Sequence, residues 1–180
     1  MRNPFTHRPR RCAALLGLAF GLALAVAPAW AFDGAGYKAK VDALKAEVET
    51  KNLADPKATL ARLDELMALG AVGAREYGAR QAKFAKLIDA VIADATAMKG
   101  YSDAEIEGKW GEQGSGGDAL GVPLKSLGQF DETRAAIELI ISPAHTYIFV
   151  NKWISARKAR WLEQARDELA ELSEHLKQVH

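Results

Sequence analysis

"ISPAHTYIFVNKWISARKARW", residues 141–161, decides how this chain is read. It carries His145, Tyr147, two of the four tryptophans (Trp153 and Trp161) and the cations Lys152, Arg157, Lys158 and Arg160. A helix turns about 100° per residue. With His145 at zero, Tyr147, Val150, Ile154, Trp161, Ala165, Leu172 and Val179 then fall in one band on the opposite side. Such a band is the core stripe of an amphipathic helix, and Leu169 and Leu176 flank it. Beyond residue 161 the back of the helix is polar: Glu163, Arg166, Asp167, Glu171, Glu174 and Lys177. Before residue 154 it is not, because Ile148, Phe149 and Trp153 point away from the stripe. A helix apolar all round is buried all round. The first turns are therefore expected to be covered on two sides and the last turns on one.

The rest of the chain from residue 32 reads as helix as well. Tyr37, Val41, Leu44 and Val48 mark one face of a helix over 35–53. Asp55 and Pro56 supply an N-cap and a first-turn proline for the next. That helix buries Leu60, Leu63, Leu66 and Met67 and is expected to stop at Gly70. Tyr77, Phe84, Val91 and Met98 recur every seven residues with Ile88 and Ala95 between them, the seam of a bundle helix over 72–99. "SDAE" (102–105) is a capping box for a short helix ending near Trp110. Residues 111–129, "GEQGSGGDALGVPLKSLGQ", hold six of the fifteen glycines and read as a long loop, either a connector or a lid. Asp131 caps a following helix. Ser142-Pro143 then reads as a new N-cap with a first-turn proline, or as a kink within one longer helix. From Pro143 onward nothing signals a break. Nothing alternates with period two. The expected fold is an all-α, antiparallel bundle of five to six helices with one Gly-rich loop.

Residues 1–31 stand apart. Arg2, Arg8, Arg10 and Arg11 precede any acid, the apolar run "AALLGLAFGLALAVA" (13–27) follows, and "PAWA" (28–31) puts small residues at Ala29 and Ala31. This reads as a cleavable, Sec-type signal peptide, with the cut expected between Ala31 and Phe32 and the domain over 32–180; retention as an anchor is the competing reading. The expected location is periplasmic or secreted. Loss of four arginines and no acid takes the 24 cations to 20 against 23 anions, a net charge of −3. Nucleic acid is not an expected partner of such a chain. The one cysteine, Cys12, leaves with the signal, so no disulfide can staple the fold. No apolar run after Phe32 is long enough to span a bilayer.

Chemistry is sparse by comparison. Glu-x-x-His, the di-metal bundle motif, is absent, as are H-E-x-x-H, the phosphate loop and G-x-S-x-G. No catalytic residue and no metal ligand set is assigned, and no enzyme activity is expected. Glu171 and His175 read as a surface pair. His145, near its presumed helix start, reads as a neutral core histidine bonded to backbone, because dipole and burial both disfavour the cation. The alternative is a small pocket in which His145 meets an aromatic wall of Trp110, Phe149 and Trp153. The cations of 152–160 read as a solvated face neutralised by Glu163, Asp167, Glu168, Glu171 and Glu174, with Arg160–Glu163 and Glu163–Arg166 as neighbours.

The function expected from all this is a non-catalytic binding protein. It would take a partner protein or a small apolar ligand near the start of its last helix, with no cofactor. One alternative is a haem- or metal-binding bundle using Met67, Met98, His145 or His175; another is a purely structural envelope protein.

Overall fold

The computed structural model describes residues 32–128 and 131–179, which belong to one compact unit. The signal-peptide reading of residues 1–31 lies outside the described residues. The elements are all helical: α1 (Gly34–Glu49), α2 (Pro56–Arg80), α3 (Ala85–Met98), α4 (Asp103–Trp110), α5 (Glu132–Ala156) and α6 (Ala159–His175). Their starts follow local chemistry. The Asp33, Asp55 and Asp131 carboxylates accept backbone N–H bonds from Gly36, Ala58 and Thr133, and Ser102 and Glu105 form a complete capping box.

Helix α5 is the axis of the structure. It packs against α2, α3, α4 and α6, and it divides the apolar interior in two. Ile137, Ile140, Ile141 and Ile148 join Leu87, Val91, Met98 and Ile106 in one cluster. Leu139, Phe149, Val150 and Trp153 join Tyr37, Leu63, Leu66 and Leu162 in the other. Ile148, Phe149 and Trp153 are all buried, as the two-sided apolar pattern requires, while α6 buries the single face Leu162, Ala165, Leu169, Leu172 and His175.

Helix α1 ends at Glu49, short of 53; two later boundaries also differ from the expected ones, and at Pro143 the one-helix alternative holds. Helix α2 does not stop at Gly70 but runs on to Arg80, and the break falls at Gln81, followed by a 3-10 turn, Ala82–Phe84. The glycine costs α2 about 1 kcal/mol of helix propensity, but it serves a helix contact. A Cβ on Gly70 would sit 2.0 Å from the Leu139 carbonyl oxygen. The seven-residue seam therefore crosses a break, and Tyr77 at the end of α2 stacks on Phe84 with centroids 6.4 Å apart. Next, Pro143 is internal to α5 and Ser142 is not an N-cap. Finally, the chain after Pro143 is broken: Arg157 adopts φ 53°, ends α5, and lets Lys158 start α6. No glycine or proline marks that stop.

Pro143 lacks the N–H that would bond the Leu139 carbonyl, four residues back. The Tyr37 hydroxyl donates to that carbonyl instead, at 2.7 Å and fully buried. Helix α2 lies antiparallel to α5 beside it, since Tyr77 meets Thr133 (2.7 Å) while Gly70 meets Leu139. The 111–128 segment is likewise packed rather than a bare connector. Two 3-10 turns shape it, Leu124 and Leu127 enter the first cluster, and a Cβ on Gly116 would strike the Trp110 ring at 2.6 Å.

Two substitutions test this joint. Tyr37→Phe leaves a buried carbonyl without a donor and should cost about 1–3 kcal/mol in urea unfolding. Gly70→Ala should cost at least the top of the roughly 1–3 kcal/mol overpacking range. An alanine at 70 that leaves the urea midpoint unchanged would contradict the packing described.

Candidate functional site: a histidine–carboxylate cleft

Arg134, Glu138 and His145 follow one another on α5 at intervals of four and seven; Glu168, Glu171 and His175 do so on α6 at three and four. Both spacings return to one helix face. The two faces meet, and Glu107 of α4 with Gly111 and Glu112 closes a cleft of about 200 Å³ over them. Glu138-x6-His145 and Glu168-x6-His175 are the same pattern twice. His145 of α5 sits against Glu168 of α6, and His175 and Glu138 line the same cleft.

The imidazole of His145 is 2% exposed. Its Nδ1 lies 3.3 Å from Glu168 Oε2 and 3.7 Å from Glu107 Oε1. Its Nε2 is buried with no hydrogen-bond partner, 3.9 Å from Asp103 Oδ1. Burial pushes the His145 pKa down, but Glu168, Glu107 and Asp103 outweigh it and the net shift is upward. The expectation of a neutral histidine near a helix start is thus corrected: α5 begins at Glu132, so no N-terminal dipole acts there, and three carboxylates favour the cation.

The same cleft raises two carboxyls. Burial lifts the Glu107 pKa, partly offset by His145, and burial lifts that of Glu138 against the pull of Arg134. His175, whose Nε2 is 3.6 Å from Glu171 Oε1, instead holds Glu171 below the usual range. That pair belongs to the cleft, not to a frayed surface, because His175 is buried. Arg134 is 3% exposed; its Nη1 donates to the Trp110 carbonyl at 2.9 Å and lies 3.3 Å from Glu138. Its Nη2 has no partner. Ser142 donates to the other Glu138 oxygen at 2.9 Å.

With its glutamates ionised, the cleft sets five carboxylates against one guanidinium and two imidazoles, a net negative site even when both histidines are charged. Among the described residues, no three His, Cys, Asp or Glu side chains are placed to hold a metal ion together.

Of the four residues proposed for a pocket from sequence, Trp110, His145, Phe149 and Trp153, only His145 lines the cleft; Glu168, Glu171 and His175, read there as surface or alternative-ligand residues, line it as well. Trp110 is held beside it by its Nε1–H to Asp94 (2.6 Å) and by its carbonyl to Arg134. Phe149 is 6.3 Å from the His145 ring but stacks on Trp161, and Trp153 lies in the second core cluster under Arg157. The aromatic residues are walls of the cores on either side. Arg157, Lys158 and Arg160 are solvated as expected and Glu163 still interacts with Arg166, but Lys152, Arg157 and Arg160 lie over aromatic rings, Glu163 pairs with Lys51 and Arg166 with Asp167. Reading the repeated Glu-x6-His spacing on two helices together would have found the site.

No family profile, curated protein or solved structure matches this chain.

Two pH experiments follow. The raised folded-state pKa of His145 makes its contribution full below the unfolded value, about 6.5, and lost as pH rises through the folded value. The stability deficit of His145→Gln, measured by urea unfolding, should therefore be larger at pH 6 than at pH 9; a deficit that grows toward pH 9 contradicts the assignment. Asp94 behaves oppositely. Burial raises its pKa, but bonds from Lys109, Trp110 and Tyr101 outweigh that and hold it low. Wild type should exceed Asp94→Asn by about 1–3 kcal/mol at neutral pH. That margin should fade as pH drops below about 3.9, and a margin unchanged in acid would count against the network.

Proposed function

We propose that this chain is an exported, non-catalytic binding protein and that its ligand is a small cation held in the cleft between α4, α5 and α6. The observation that carries the reading is a buried imidazole whose Nδ1 faces Glu168 and Glu107 in a cavity where carboxylates outnumber cationic groups. Imidazole with carboxylate suits zinc and the neighbouring late transition ions. The His145 Nδ1 to carboxylate distances of 3.3 and 3.7 Å bracket the roughly 3.4 Å edge of a tetrahedron with 2.0–2.1 Å bonds. As placed, no three of these side chains reach one ion, so binding requires the exposed Glu107 and half-buried Glu168 side chains to swing toward His145 Nδ1, with water in the open positions.

The cleft favours this over an apolar ligand. At about 200 Å³ it is below the roughly 300–1,000 Å³ of ordinary small-molecule pockets, and its lining is charged. A haem gains no support either, since Met67 and Met98 lie in the first core cluster and not at the histidines. Burial of Phe149 and Trp153 likewise weakens the idea of a partner docking on them.

Titration of metal-free protein with Zn²⁺, Ni²⁺ or Cu²⁺, followed by calorimetry and elemental analysis, tests the proposal. One ion should bind per chain, and His145→Ala should weaken it at least tenfold. Affinity should also drop as pH falls and protons compete for the imidazoles. Binding equal in wild type and in the His145→Ala/His175→Ala double variant would sink the reading.

A further inference from the structure

Glu76 of α2 presents a carboxylate that is half-satisfied. Its Oε2 accepts the Phe32 backbone N–H at 2.9 Å, while its Oε1 is buried with no hydrogen-bond partner. Phe32 itself is seated. Its ring lies 5.4 Å from Tyr37, and a Cβ on Gly73 would meet it at 2.8 Å. Asp33 immediately caps α1. An amide nitrogen offers one N–H and no charge, which leaves a buried anionic oxygen short of a donor. An ammonium at the same atom offers three N–H groups and a full positive charge.

The residue before Phe32 is Ala31, the last of "PAWA", where small residues stand first and third before the bond. We infer that hydrolysis of the Ala31–Phe32 peptide bond completes the fold: the new α-ammonium of Phe32 pairs with both oxygens of Glu76. The step consumes one water. The C–N bond breaks, the carboxylate remains on Ala31 with the released segment, and the nitrogen takes up protons to become the ammonium. The agent is an endopeptidase that accepts small side chains at those two positions. The inference rests on the exported reading and adds what the cut does for the folded chain.

The joint also links the new terminus to the helix axis. Phe32 packs on Tyr37, Tyr37 bonds the Leu139 carbonyl, and Gly73 and Gly70 bring α2 against the same turn of α5. An uncleaved chain carries an amide at this position, so its N-terminal anchor holds by one neutral donor.

Two measurements decide it. N-terminal sequencing of the exported protein should begin at Phe32; another start overturns the processing half. Thermal unfolding then compares chain 32–180 with chain 28–180, which keeps the amide. The shorter chain should melt higher by about 2–4 °C, the shift expected of one partly buried ion pair at this size. Glu76→Gln should erase that gap by lowering the shorter chain alone. Equal melting of the two wild-type chains overturns the ion pair wherever the cell cuts, and that comparison stands even if the Gln variant does not fold.

Discussion

A single carbonyl organises this molecule. Pro143 sits in the middle of α5 and cannot bond the Leu139 oxygen four residues behind it. Buried without a donor, that oxygen would cost about 1–3 kcal/mol. Two residues from other helices answer it: Tyr37 of α1 supplies the hydrogen bond, and Gly70 of α2 lets backbone approach backbone where any side chain would collide. The defect in one helix thus fixes the positions of two others. Burial raises the Tyr37 pKa well above the ordinary phenol value, so the donor keeps its proton at all physiological pH.

With α5 fixed along its length, its remaining faces divide the labour. Two apolar faces serve two core clusters, and a third carries Arg134, Glu138 and His145. Helix α6 is amphipathic in the ordinary sense, but its buried stripe ends in His175 and is edged by Glu168 and Glu171. When the polar edge of α6 meets the polar face of α5, charges enter a low-dielectric seam. Their pKa values move apart accordingly: Glu107 and Glu138 are pushed toward neutrality by burial, and Glu171 is kept ionised by His175.

How far the sequence foretells this depends on what kind of signal each feature leaves. Caps are local, so Asp55, Ser102 with Glu105, and Asp131 are legible and stand where expected. The two-sided burial of Ile148, Phe149 and Trp153 is legible because periodicity reports it directly. Gly70 misleads because the same residue that ends helices also permits close packing, and only the partner carbonyl distinguishes the two uses. Arg157 leaves no mark at all; an arginine in the left-handed region is set by the turn it closes, not by its own preference. Missing that break extends one helical wheel across two helices. It also hides the cleft, since Glu138 and His145 precede the break, Glu168 and His175 follow it, and the pairs meet only when α6 folds back on α5.

The cleft works against the stability of the structure. Hydrophobic replacements of similar volume in such seams often leave a protein as stable or more so, and α5 has apolar residues on every other face. Here burial opposes the charged form of His145 while neighbouring carboxylates demand it, and Arg134 is drawn in with part of its guanidinium unanswered. Core geometry alone does not ask for this arrangement: α5 and α6 already meet through Phe149, Val150, Leu162 and Leu169 in the second cluster. The energetic cost of the polar seam is intelligible when something enters it that the imidazoles and carboxylates can share. The proposed cation would meet that requirement, answering an excess of acceptors without adding another buried negative charge.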